Sequence, residues 1–123
     1  MMNMIYDINN IFAKILRGEI PCNKVYEDEW ALAFNDIAPA APVHVLVIPK
    51  GPYASLDDFA AHASNDEIAG FYRALGRVAR ELGLAAPGPG YRTLSNAGAH
   101  GGQEVPHFHV HLFGGRPLGP MLR

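Results

Sequence analysis

Ile11, Phe12, Ile15 and Leu16 recur three and four residues apart, which places them on one face of a helix. Asn9 or Asn10 can cap that helix, Gly18 ends it, and Pro21 lies just beyond. Residues 24–27 and 30–34 read as two short strands joined by a tight connection. The chain then leaves the sheet through Asp36, Ile37, Pro39 and Pro42. Residues 43–48 (VHVLVI) form the clearest buried strand, β-branched and interrupted only by His44. A short helix is expected over 56–61. Ser64 followed by Glu67 then has capping-box spacing. The helix it opens carries Ile68, Phe71, Tyr72, Leu75, Val78, Ala79 and Leu82 on one face and stops at Gly83. Residues 84–90 read as a surface connection, 91–95 as a strand, 96–103 as a glycine-rich loop and 105–113 as the last strand. This order predicts an α+β domain with its helices on one face of a mainly antiparallel sheet.

Composition narrows this picture. The 123 residues amount to one domain, with 49% apolar and 18% charged residues, as a packed core requires. A net charge of −2 gives no standing attraction to nucleic acid or to an anionic membrane. No apolar run approaches the roughly 20 residues of a membrane helix, and the start MMNMIYDINN lacks the pattern of a signal peptide. Cys22 is the only cysteine, so no internal disulfide can form, and the cytoplasm is the expected compartment.

The chemistry concentrates near the end of the chain. In PHFHVHLF, strand alternation puts His107, His109 and His111 on one face and Phe108, Val110 and Leu112 on the other. His44, from another strand, can add a fourth ring. Such spacing suits a divalent metal bound by His107, His109 and a distant ligand. It also suits, though less directly from spacing alone, a neutral imidazole acting as a nucleophile, steadied by its neighbours. Structural histidines are the third reading. The loop 96–103 favours the nucleophile, because its glycines let backbone N–H groups approach an oxyanion and a metal site has no use for that.

The motif His107–Phe108–His109–Val110–His111–Leu112–Phe113 resembles the signature of the histidine triad (HIT) family, in which three histidines alternate with apolar residues. The resemblance runs from about Ile11 to Gly115 through IFAKILRGEIP, FNDIAPAAPVHVLVIPK and GGQEVPHFHVHLFGG. It is nearest to the histidine triad nucleotide-binding branch, the nucleoside phosphoramidate hydrolases. The resemblance implies a single HIT domain over 1–123, with its core at about 11–115 and a tail at 116–123. It also implies a five-stranded sheet with two main helices, continued across a homodimer, and no cofactor or metal.

By position, the resemblance makes His109 the nucleophile on the α-phosphorus of a purine nucleotide, with AMP or GMP as product. His107 and His111 would orient it and contact the phosphate, and His44 would complete the cluster. Asp36 falls where the family binds the ribose hydroxyls. Ile11, Phe12, Ile15, Ile20, Phe34 and Ile37 match positions around the base. Asn96, Gly102, Gln103 and Glu104 match positions around the phosphate and leaving group.

Two departures stand out. Asn10 and Ala13 occupy the places of a Cys-x-x-Cys pair that some members carry, and Glu104 stands where eukaryotic members have a serine. Hydrolysis of purine nucleoside 5′-phosphoramidates through a nucleotidyl-histidine is the expected function. The alternatives are a dinucleoside polyphosphate hydrolase, a nucleotide-binding module with little activity, and a histidine-ligated metalloprotein.

Overall fold

The computed structural model describes residues 6–122. Its elements are α1 (Ile11–Leu16), β1 (Lys24–Glu27), β2 (Ala31–Asn35), β3 (Val43–Pro49), α2 (Leu56–His62), α3 (Asn65–Glu81), β4 (Arg92–Leu94), α4 (Gly98–Gly101) and β5 (Val110–Gly114). The five strands make one antiparallel sheet in the order β1-β2-β3-β5-β4. The two apolar central strands, β3 and β5, pair with Val45 opposite Leu112 and Leu46 opposite His111.

Helix ends follow local sequence. The Asn10 side chain accepts from the Ala13 N–H at 2.9 Å. At α3, Ser64 and Glu67 cap each other reciprocally, as a capping box does. The α3 face formed by Phe71, Ala74, Leu75, Val78 and Ala79 is buried against Ala31, Ala33, Val45 and Val47 of the sheet. Phe108, Val110 and Leu112 join the same core, where Phe108 meets Phe59 and Phe71 at ring separations of 5.1 and 5.3 Å.

The structure corrects the expected layering. α1 does not lie with α2 and α3: its Phe12 packs on Leu32, Phe34, Leu46 and Ile48, the opposite face of the sheet. Helices therefore cover both faces, and α1 covers the face that carries the histidines. The connection at 84–90 is not wholly superficial either, because Leu84 is buried in the main core.

The last strand begins at Val110, not at residue 105, and a single helical turn, α4, interrupts the expected loop at 96–103. Pro49 accounts for the shorter strand. In register it would face Phe108 but it has no N–H to offer, and the ladder stops at Val47–Val110. The Phe108 N–H goes instead to the Tyr53 carbonyl at 2.7 Å. Even so, the alternation persists through 107–112, and the histidines stay opposite the main core.

Candidate active site

Four histidines converge where β3, β5 and α1 meet. His44 comes from β3 and His111 from β5; His107 and His109 come from the extended segment just before β5. His107, His109 and His44 are buried at 1, 6 and 7% exposure, and His111 is half-buried. The His109 and His111 rings lie 5.0 Å apart, and the His44 and His111 rings 5.2 Å apart. The edge of Phe12 stands against His109 at 5.0 Å and against His107 at 6.3 Å.

The hydrogen bonds dictate where each ring carries its proton. A carbonyl can only accept, so Nδ1 of His109, 2.7 Å from the His107 carbonyl, holds a hydrogen. Likewise Nε2 of His107 donates to the Pro49 carbonyl at 3.0 Å, which leaves Nδ1 to accept from the Tyr6 hydroxyl. At His44 the Ala40 N–H donates to Nδ1 at 3.0 Å, so the proton sits on Nε2. That Nε2–H donates to Nδ1 of His111 at 2.9 Å, and His111 is left with an Nε2–H of its own. The Asp36 carboxylate, 3.5 Å from Nε2 of His44, favours the proton at the same place.

The neutral forms these bonds assume are those that burial enforces. Desolvation pushes His107 down to about 4, against smaller upward pull from its bond to Pro49. Desolvation, then repulsion from His109 and His44, brings His111 to about 4. His44 and His109 are lowered by burial too, opposed at both by Asp36 and at His109 also by the His107 carbonyl.

Nε2 of His109 is the atom left over. Among the described residues it has no partner, yet every fully buried side-chain nitrogen and oxygen there has one. That nitrogen therefore reaches the surface with its lone pair exposed, in a ring locked from behind.

The other residues named from the sequence divide into groups. Asp36 is half-buried beside His44, and its other oxygen accepts from the Ala38 N–H at 2.8 Å. Phe12 and Phe34 are core residues, 5.5 Å apart edge to face. Ile15 and Ile20 are half-buried, whereas Ile11 is 43% and Ile37 98% exposed. Gly102 ends α4 in the left-handed region at φ 76°, where a side chain would be strained. Asn96 is half-buried and Glu104 exposed.

Two roles implied by the resemblance meet obstacles. Both N–H groups of the Gln103 side chain are engaged, by the Ala54 and Val105 carbonyls at 2.7 and 3.0 Å, so Gln103 braces the loop instead of offering them to a phosphate. His107 has both ring nitrogens occupied, so it can hold His109 but has no free nitrogen for a phosphate or a metal. A metal between His107 and His109 is therefore disfavoured. Among the described residues, the set with metal-like spacing is Asp36, His44 and His111, whose ligand atoms lie within 4.8 Å of one another. Sequence reasoning missed Tyr6, because nothing local links it to a histidine 101 positions away.

The chain is similar to known proteins over most of its length. A HIT domain profile matches residues 17–118. An uncharacterized 13.2 kDa HIT-like protein of Azospirillum brasilense is 62% identical over 121 residues, covering 98% of each chain. The purine nucleoside phosphoramidase of Escherichia coli K12 is 45% identical over 112 residues, covering 91% of this chain and 92% of its own. A histidine triad protein from Clostridium difficile superposes with a TM-score of 0.84 at 41% identity, over 96% of this chain and 100% of that one. The chain belongs to the HIT domain family.

Proposed function

We propose that this protein hydrolyses purine nucleoside 5′-phosphoramidates through a nucleotide held covalently on His109. The observation that carries the reading is the ring of His109, fixed through Nδ1–H to the His107 carbonyl and left with a free Nε2 at the surface. The phosphoramidase of E. coli, at 45% identity, supports the choice of substrate class.

In the first step Nε2 bonds to the α-phosphorus as the P–N bond breaks, and the amine leaves with a proton taken from solvent. The adduct is a cationic imidazole whose Nδ1–H is already held by a carbonyl, so no rearrangement is needed to bear the charge. The Nε2–H of His111 is available to a phosphate oxygen, and the Ala40–His44 chain holds that ring in the donating form. Water then attacks phosphorus, loses a proton to solvent and releases the nucleotide. We assign Asp36 to the ribose hydroxyls, Asn96 and Gly102 to the phosphate side, and Ile11, Ile15, Ile20 and Ile37 to the base. Exposed Ile37 beside half-buried Asp36 supports that division. We also propose a homodimer joined along the β4 edge, where Tyr91, Leu94 and Tyr72 of α3 leave apolar surface exposed.

Incubation with adenosine 5′-phosphoramidate should release AMP catalytically without added metal. Preference for a dinucleoside polyphosphate would overturn the substrate, and activity that required a stoichiometric divalent ion would favour the Asp36–His44–His111 metal reading.

Acid should act in two ways. His109 must be neutral to attack, and burial holds its pKa below the ordinary 6.5, so kcat/KM should stay level through neutrality and fall only below that value. A pH–rate profile whose acid midpoint lies above 6.5 would contradict this. Stability follows the same sign. Between pH 6.5 and about 4 the unfolded chain binds a proton at residue 107 that the folded chain refuses, so stability is full above 6.5 and drains away as the pH falls towards 4. At about 1.4 kcal/mol per pH unit, His107 alone accounts for roughly 3 kcal/mol. Urea melts at pH 7 and pH 4.5 would measure the loss.

A further inference from the structure

His107 is the deepest of the four rings, and its two nitrogens are held by groups far apart in sequence: the Pro49 carbonyl on Nε2 and the Tyr6 hydroxyl on Nδ1. The rings of Tyr6 and His107 meet edge to face at 5.7 Å. Tyr6 is not loosely attached. The turn after it is closed by the Asn10 side chain and backbone on the Asp7 carbonyl, at 2.7 and 3.2 Å, and by the Asn9 N–H on the Asp7 carboxylate at 2.9 Å. Arg17, just past α1, donates to the Ile8 carbonyl at 2.7 Å. Tyr6 and Phe12 thus belong to one braced unit, and both touch His107.

We propose that Tyr6 is a positioning residue of the active site: its hydroxyl holds the His107 ring, and with it the carbonyl that keeps the proton on Nδ1 of His109 and the lone pair on Nε2. The Pro49 carbonyl settles which nitrogen of His107 bears hydrogen, but one bond leaves the ring free to swing about it. A second bond at the opposite nitrogen removes that freedom. It also satisfies an acceptor that would otherwise be buried without a partner. A shift of the residue 107 backbone would reach His109 directly, because the bond between them is only 2.7 Å long. Tyr6 touches no atom of the reaction. It acts through its neighbour, and its role rests on the hydrolytic reading given above.

Tyr6→Phe separates hydroxyl from ring. In the full-length variant, the 15N resonance of His107 Nδ1 should move to the value of an unbonded lone pair while Nε2 keeps its hydrogen. The kcat for AMP release should fall about tenfold with KM within about twofold, since the lost bond faces the nucleophile and not the nucleotide. Tyr6→Leu, which removes ring and hydroxyl together, should be impaired at least as much. An unchanged His107 resonance in Tyr6→Phe, or kcat equal to the parent's with only Tyr6→Leu impaired, would reduce Tyr6 to packing and overturn the proposal. A parent protein that releases no AMP would refute the hydrolytic reading instead, and the resonance would still report whether Tyr6 holds His107.

Discussion

Replacing His109 by alanine is expected to lower AMP release from a nucleoside phosphoramidate by roughly 10³-fold or more, with the fold intact. The size follows from what is removed. Water remains as the only nucleophile, and the carbonyl of His107 and the Nε2–H of His111 are left arranged around an attack that no longer occurs. The fold should survive because Nε2 of His109 has no partner among the described residues and the ring packs on Phe12 and His111, outside the main core. Steady-state kinetics with a matched thermal melt would separate the two effects. Activity within tenfold of the parent would exclude His109 as the nucleophile.

The largest expected effect on stability comes from Phe108, which lies between the two histidines in sequence but on the other side of the sheet. It is 1% exposed and stacks with Phe59 at 5.1 Å. Truncation to alanine empties the middle of an aromatic cluster that Phe71 completes at 5.3 Å, and should cost about 3–5 kcal/mol. For a chain of this length the midpoint temperature should drop by on the order of 10 °C. The backbone bond from Phe108 to the Tyr53 carbonyl does not depend on the side chain. Variant protein kept cold should therefore retain AMP release and lose it at a lower temperature than the parent. Calorimetry beside activity measured across temperature tests both halves. An unshifted melting midpoint would show that the core does not depend on this ring.

What could be read from the chain was whatever depends on near neighbours. The Asn10 cap, the Ser64–Glu67 box and the apolar face of α3 are set within four residues, and each stands where spacing put it. Phe108, Val110 and Leu112 followed from strand alternation, which survives even where the ladder does not. Features that depend on distant partners were hidden. An amphipathic pattern says that α1 buries Phe12, but not which side of the sheet receives it. The early end of β5 depends on Pro49 falling opposite Phe108, a matter of register between segments more than fifty residues apart. The contact of His44 with His111 rests on the same register, which sets Leu46 opposite His111. The carbonyls of Ala54 and Val105 that hold the Gln103 amide could not be placed from sequence either.

The stereochemistry at phosphorus gives the most direct test of attack by Nε2 of His109. A substrate of one configuration, made chiral with sulfur and hydrolysed in 18O-labelled water, undergoes two in-line displacements if the nucleotide passes through the histidine. The product should then retain its configuration. Inversion would mean a single direct attack by water, and the covalent route through His109 would be wrong.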